Sequence, residues 1–167
     1  QPHLQKELDR WLVAYYFLLR FSDLQEISSA NLMQIEGTTF LRYRAGKTQK
    51  EATIPVRQRA MELMETYNFD FSWGTNQQAN RQVKMAIAAA GINEMVTQGA
   101  ITAPKSSIIT MHTARRSAAT NLYLSGQFSL KTIADLGGWE NMKTLQLYLR
   151  CSNMDSAKLA AKSDYFR

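Results

Sequence analysis

Two changes in the spacing of apolar residues divide the chain and limit what it can fold into. Before residue 38, apolar side chains recur every three or four positions, which is typical of helices packed on a core. Between residues 38 and 56, β-branched and aromatic residues flank a polar stretch at residues 46–50. This pattern predicts a β-hairpin with lysines at its tip or on its second strand. Beyond Pro55 the helical spacing returns, so we predict a mostly helical α+β fold with a small antiparallel sheet.

The first two helices are predicted to meet at a corner that contains Arg20. A stripe of leucines and aromatic residues indicates an opening helix that ends near Leu19. Ser22 and Gln25 have the spacing of a capping box, which predicts a second short helix through about Ile27. Later helices are predicted over residues 57–66, 76–90, 110–124, 129–136, 141–149 and 154–164, with a long loop over residues 92–107.

Composition excludes several classes of protein. The chain has 167 residues and is 45% hydrophobic, which is enough for one domain with a core. Its one cysteine, Cys151, cannot form an internal disulfide, and two histidines cannot supply a cluster of metal ligands. We therefore expect neither a disulfide scaffold nor a metal enzyme, and no cofactor.

The charge balance indicates a polyanionic partner. Lys and Arg number 20 and Asp and Glu number 14, so the net charge is +6. Cations that neutralise phosphates release counterions, which drives binding to nucleic acid. There is no apolar run of about 20 residues and no signal-peptide pattern at the start, so we expect an intracellular protein that does not engage membranes.

The segment around His112 carries the most chemical information. On a helix, His112 and Arg115 are three positions apart and share a face. A guanidinium can hold phosphate oxygens while an imidazole moves a proton, so the pair suits a phosphate under attack. Taken alone, the pattern more often belongs to an ordinary, partly exposed helix.

A second informative segment joins a Gly-Gly turn to two aromatic residues. Trp139 follows Gly137 and Gly138, and Tyr148 lies nine positions further on, in the next predicted helix. Each could be a core aromatic residue. Their order behind Arg20, Lys47, His112 and Arg115 resembles that of a known active site, and this resemblance favours a shared site.

These residues give the chain a resemblance to the catalytic domain of tyrosine recombinases, the phage integrase family. Residues 20–24 (Arg-Phe-Ser-Asp-Leu) resemble the motif of the family's first arginine, and residues 46–55 resemble its Gly-Lys-x-x-Lys hairpin, which ends in proline. Residues 112–115 match its His-x-x-Arg box. Residues 137–139 are similar to its Leu-Gly-His/Trp turn, and residues 144–148 to its nucleophile motif Thr-x-Gln-x-Tyr.

The resemblance implies a role for each matching residue, and the roles agree with the chemistry of phosphoryl transfer. Tyr148 would attack phosphorus and hold the cut strand as a 3′-phosphotyrosine, without metal or ATP. Arg20 and Arg115 would grip the non-bridging oxygens. Lys47 would protonate the 5′ oxygen, and His112 would take the proton of the tyrosine. Trp139 would offer an indole N–H to the phosphate and pack behind Tyr148.

Three points leave alternatives open. Lys50 lies on the same hairpin as Lys47 and is a second candidate for the general acid. Relatives often carry Thr-Gly before the first arginine's neighbour, whereas this chain has Leu18 and Leu19 before Arg20. Relatives also often carry His two residues after the tyrosine, where this chain has Arg150.

The resemblance also implies an activity and partners. Residues 1–167 would form the catalytic domain of a longer site-specific integrase that acts on double-stranded DNA as a tetramer on synapsed sites and is monomeric in isolation. We expect it in the bacterial cytoplasm, at the nucleoid. The alternatives are a type IB topoisomerase-like enzyme and an inactive DNA-binding module. The last predicted helix, residues 154–164, would pack either on a neighbouring protomer or on its own domain.

Overall fold

The computed structural model describes residues 2–164, apart from the side chain of Gln98. The N-terminal half contains α1 (Pro2–Tyr16), α2 (Phe21–Glu26), a 3-10 turn (Ser29–Asn31), strands β1 (Leu32–Ile35), β2 (Thr38–Arg44) and β3 (Glu51–Pro55), and helices α3 (Gln58–Thr66) and α4 (Asn76–Ala89). The C-terminal half contains β4 (Met95–Gln98), β5 (Ile101–Pro104) and helices α5 (Lys105–Ile108), α6 (Met111–Leu124), α7 (Leu130–Leu136), α8 (Met142–Gln146) and α9 (Asn153–Ala160).

Helix α1 lies at the centre of the helical layer and packs against α3, α4 and α6. Its Val13 and Ala14 are completely buried, as the apolar stripe predicts. Strands β1, β2 and β3 form an antiparallel sheet in that order, and β3 packs against α7. The predicted α+β class, mostly helical with a small antiparallel sheet, is confirmed. In the described part of the chain, no helix combines the length and apolar character needed to cross a bilayer.

The corner before Arg20 differs from the prediction. Helix α1 ends at Tyr16 rather than near Leu19, because Leu18 adopts a left-handed conformation with φ of 51°. The backbone N–H of Leu19 then bonds to the carbonyl of Ala14 at 2.9 Å, the closing bond of a Schellman motif. The predicted capping box at Ser22 is wrong, because α2 already begins at Phe21 and Arg20 occupies the N-cap position.

The predicted long loop over residues 92–107 is also wrong. This segment folds into the β4–β5 hairpin followed by α5. Gly99, with φ of 63°, makes the tight turn, and the hydroxyls of Thr97 and Thr102 lie 2.9 Å apart across the strands. Gly99 and Pro104 suggested a loop, but here they form the turn and the end of an exposed hairpin.

The C-terminal elements are shorter than predicted. Helix α8 ends at Gln146, so Tyr148 lies in the turn that follows it. Helix α9 ends at Ala160 and packs on the end of α6 in its own domain. There, the side chain of Leu159 lies 2.8 Å from the position that a Cβ atom at Gly126 would occupy.

A buried ion pair fixes α1 to the segment before α4. Arg10 is completely buried and Glu7 is 2% exposed, and the guanidinium donates to the carboxylate at 2.8 Å. Arg10 also donates to the carbonyl of Trp73, and the indole N–H of Trp73 donates to Glu7 at 2.6 Å. Removing one partner would leave the other charge buried and unpaired.

We therefore predict that Glu7→Ala lowers the free energy of unfolding by about 3–5 kcal/mol. Glu62→Ala is the matched control, because Glu62 forms an ion pair of the same spacing with Arg59 but about half of each side chain is exposed. Its loss should cost less than about 1 kcal/mol. Urea unfolding measures both values, and equal losses would contradict the assignment.

Candidate active site

Arg115 lies at the centre of the candidate site. Helix α6 begins at Met111 because the Thr110 hydroxyl accepts from the backbone N–H of Thr113, and this start directs Arg115 into the interior. The guanidinium is completely buried and donates to the carbonyl of Leu18 and, at 2.8 Å, to the carbonyl of Gly137. Burial lowers the pKa of Arg115 to about 10. The side chain thus joins the α1–α2 corner to the turn after α7.

The Gly-Gly-Trp turn places an aromatic ring over this guanidinium. Trp139 is 4% exposed, and the centre of its ring lies 3.8 Å from the guanidinium carbon of Arg115. A Cβ atom at Gly137 would lie 1.9 Å from the Trp139 ring, so glycine is required there. The Trp139 indole N–H is buried and has no hydrogen-bond partner within the described residues.

Tyr148 covers the same guanidinium from the turn after α8. Asn141 caps α8 by accepting from the backbone N–H of Thr144 at 2.9 Å, which sets the position of this turn. The Tyr148 ring packs edge-on against Trp139 at 5.4 Å and lies 5.1 Å from the ring of His112. It lies 5.9 Å from the guanidinium carbon of Arg115. The structure therefore brings Tyr148, His112, Trp139 and Arg115 into contact.

His112 is exposed on the first turn of α6 and is surrounded by cations. Partial desolvation is the largest cause that lowers its pKa, and the charges of Arg115, Arg116, Arg20 and Lys47 lower it further. These effects favour the neutral imidazole, the form that can accept a proton from Tyr148.

Arg20 is tied to the hairpin through Asp23. The guanidinium lies 3.4 Å from one carboxylate oxygen of Asp23, and the other oxygen accepts from the backbone N–H of Gly46 at 3.0 Å. Arg20, Asn76 and His112 also line one open depression on the surface. Of Arg20 and Arg115, Arg20 is thus the one that a ligand can reach directly.

Lys47 lies in the exposed turn between β2 and β3. The neighbouring Thr48 hydroxyl donates to the carbonyl of Gly138 at 2.9 Å, so the tip of the hairpin rests on the Gly-Gly-Trp turn. Lys47 is near enough to His112 for its charge to lower the pKa of the imidazole.

Tyr43 lies beside Arg115, although no motif in the sequence points to it. Tyr43 is 6% exposed, and its hydroxyl has no hydrogen-bond partner of normal geometry in the described part of the chain. Burial raises the pKa of Tyr43 to about 12, and the nearby charge of Arg115 opposes that rise. Its alternating position in β2 predicts burial but carries no signal for the site.

Among residues 2–164, His, Cys, Asp and Glu side chains form no group of three or more that could hold a metal ion.

The family is shown by comparison of sequences. The model of the phage integrase family matches residues 8–154. Because this match covers most of the chain, the chain belongs to the phage integrase family. The predicted family is confirmed. Comparison with curated proteins gives no significant match.

Solved structures of tyrosine recombinases share the fold. The XerH site-specific recombinase in a post-cleavage complex with palindromic difH substrate is 16% identical with a TM-score of 0.65, covering 93% of this chain and 45% of that chain. The Tn1549 transposon integrase, in complex with a circular intermediate DNA, is 14% identical with a TM-score of 0.63, and the match covers 95% of this chain and 58% of that chain. The XerA recombinase is 13% identical with a TM-score of 0.63, and the match covers 95% of this chain and 62% of that chain. The chain thus spans roughly half to three fifths of the length of these proteins.

We predict that His112 titrates with a midpoint below the usual value of about 6.5. NMR of the His3→Gln variant isolates the His112 signal, since the chain has two histidines. Arg116→Gln should move the midpoint upward, because it removes one of the cations. A folded pKa below the unfolded value also means that His112 stabilises the fold above pH 6.5 and that this contribution is lost as pH falls through the folded pKa. A midpoint at or above 6.5 would contradict the site's electrostatics.

Proposed function

We propose that residues 1–167 act as the catalytic domain of a site-specific DNA recombinase that cuts and rejoins strands through Tyr148. The observation that carries the proposal is the packing of Tyr148 against His112 and Trp139, directly over Arg115. Membership of the phage integrase family supports the same chemistry. Double-stranded DNA is the proposed partner, and similar recombinases have been solved as complexes with DNA.

In the first step, the Tyr148 oxygen attacks phosphorus and its proton passes to the neutral imidazole of His112. The bond between phosphorus and the 5′ oxygen breaks, and Lys47 gives that oxygen a proton. The products are a 3′-phosphotyrosine and a free 5′-hydroxyl. Attack by the 5′-hydroxyl of another strand reverses these bonds and reseals the DNA, so the reaction requires no ATP.

Charge that develops on the phosphate needs cations aimed at its oxygens. Arg20 borders the open depression and can bind an oxygen as it stands. Arg115 is covered by Trp139 and Tyr148, so contact with the phosphate requires the turn at residues 147–148 to move outward. That turn lies outside α8, and Leu147 is 77% exposed, which leaves the segment free to move.

We also propose an assembly and a location that fit this activity. Exchange between two duplexes requires four cuts, so we propose a tetramer on synapsed DNA and a monomer in isolation. We place the protein in the bacterial cytoplasm, at the nucleoid.

We predict that Tyr148→Phe abolishes covalent attachment to DNA. The substrate is a pool of duplexes of mixed sequence, each nicked so that the released strand diffuses away and the adduct accumulates. The wild type and the control Tyr123→Phe should form an adduct that is visible on a denaturing gel. No adduct with the wild type at high protein concentration would favour an inactive DNA-binding module. Relaxation of supercoiled plasmid without exchange of flanking DNA would favour a type IB topoisomerase-like enzyme.

Lys47→Ala should slow cleavage by about 10²–10⁴-fold, the usual contribution of a general acid. A substrate with sulfur in place of the 5′ bridging oxygen should restore the rate, because a thiolate leaves without a proton. Lys50→Ala is the matched variant on the same hairpin. If the sulfur-containing substrate instead restores the cleavage rate of Lys50→Ala, Lys50 is the general acid.

A further inference from the structure

One face of α6 runs beneath the segment that carries the nucleophile. His112, Arg116 and Thr120 follow each other at four-residue steps, so their side chains line that face. The Tyr148 ring lies 5.1 Å from the ring of His112, and the backbone N–H of Arg150 donates to the Thr120 hydroxyl at 3.2 Å. Arg116 therefore lies between these two contacts, about one helical turn from each.

Arg116 and Arg150 have no acidic partner. Within residues 2–164, neither guanidinium donates a hydrogen bond or forms an ion pair. In contrast, the exposed Arg42 and Arg59 each pair with a glutamate. Arg116 is partly buried, and both loss of water and the charge of Arg150 lower its pKa. Two like charges held together without a counter-charge are unfavourable until an anion joins them.

We propose that Arg116 and Arg150 form a second phosphate site, which binds a non-scissile phosphate of the strand that Tyr148 attacks; this rests on the proposed function. A guanidinium offers paired donors that match phosphate oxygens. One helical turn along α6 is about 5.4 Å. Because a DNA strand carries one phosphate per 3.4 Å of helix axis, the bound phosphate lies within about two nucleotides of the scissile one.

The site also couples DNA binding to the position of the nucleophile. Arg150 is two residues from Tyr148, in the same segment after α8. A phosphate held by both arginines fixes this segment against α6 at Arg150, while the turn that covers Arg115 moves. Arg116 and Arg150 are thus positioning residues for Tyr148 as well as ligands for DNA.

The first experiment measures how salt weakens binding to a short duplex of mixed sequence. The double variant Arg116→Gln/Arg150→Gln should reduce the slope of log affinity against log salt by about 0.9 for each phosphate that the variant no longer neutralises. The control Arg59→Gln/Lys131→Gln removes the same charge from exposed ion pairs and should leave the slope unchanged. Arg116→Lys/Arg150→Lys should retain most of the slope, because the charges remain.

An unchanged slope in a glutamine variant that melts like the wild type overturns the proposal. If the double variant does not fold, Arg150→Gln alone applies the same criterion, since Arg150 is exposed. The assay involves no cleavage. A chain that shows the slope change but never forms an adduct therefore keeps the phosphate site and loses the proposed catalytic function.

The second experiment locates the phosphate on a duplex that the wild type cleaves. Single phosphates beside the scissile one are replaced by neutral methylphosphonates. One replacement within about two nucleotides should slow cleavage by the wild type but add no further loss in Arg116→Gln/Arg150→Gln. If every replacement slows both proteins by the same factor, the arginines do not bind that strand beside Tyr148, and the proposal is wrong.

Discussion

The structure depends on how the charge of Arg115 is buried. A guanidinium without water is costly unless its donors are satisfied. Here the carbonyls of Leu18 and Gly137 accept from its two terminal nitrogens and the Trp139 ring covers its face, while the buried Nε–H has no partner among the described residues. These partners belong to the α1–α2 corner and the turn after α7, so the helices can pack only where both reach Arg115. Leu18 reaches Arg115 from the left-handed turn that ends α1, and Gly137 lacks the Cβ atom that would clash with the Trp139 ring.

The same arrangement divides the candidate site into a fixed part and a part that can move. Asp23 holds Gly46 and Thr48 holds Gly138, so the hairpin is anchored on both sides of Lys47 while the lysine remains exposed. Tyr148, in contrast, lies in a turn and is positioned by ring contacts with His112 and Trp139. Because Leu147 in the same turn is 77% exposed, Tyr148 is the candidate residue whose position DNA binding can change most easily.

Sequence reasoning predicted the parts of the fold and site that local pattern determines. Apolar spacing and motif order gave the helices, the hairpin and the candidate residues now found around Arg115. It could not predict the complete burial of Arg115, because that depends on carbonyls far away in the chain. It missed the β4–β5 hairpin, since exposed strands lack the apolar alternation of buried ones. The proximity of Arg116 to Arg150 was also hidden, because the bond from Arg150 to Thr120 spans 30 residues.

The distances along the chain between Arg115 and its two acceptors bear on how the protein is made. Leu18 precedes Arg115 by 97 residues and Gly137 follows it by 22. During synthesis, Leu18 therefore leaves the ribosome long before Arg115, and the second acceptor, Gly137, emerges 22 residues after it. Until then the guanidinium has a lower free energy in water than in the interior, because its second acceptor is absent. Helix α6 therefore cannot dock fully on α1. The candidate site can thus become native only after Gly137 has emerged, and a nascent chain that ends before this residue has no assembled site around Arg115.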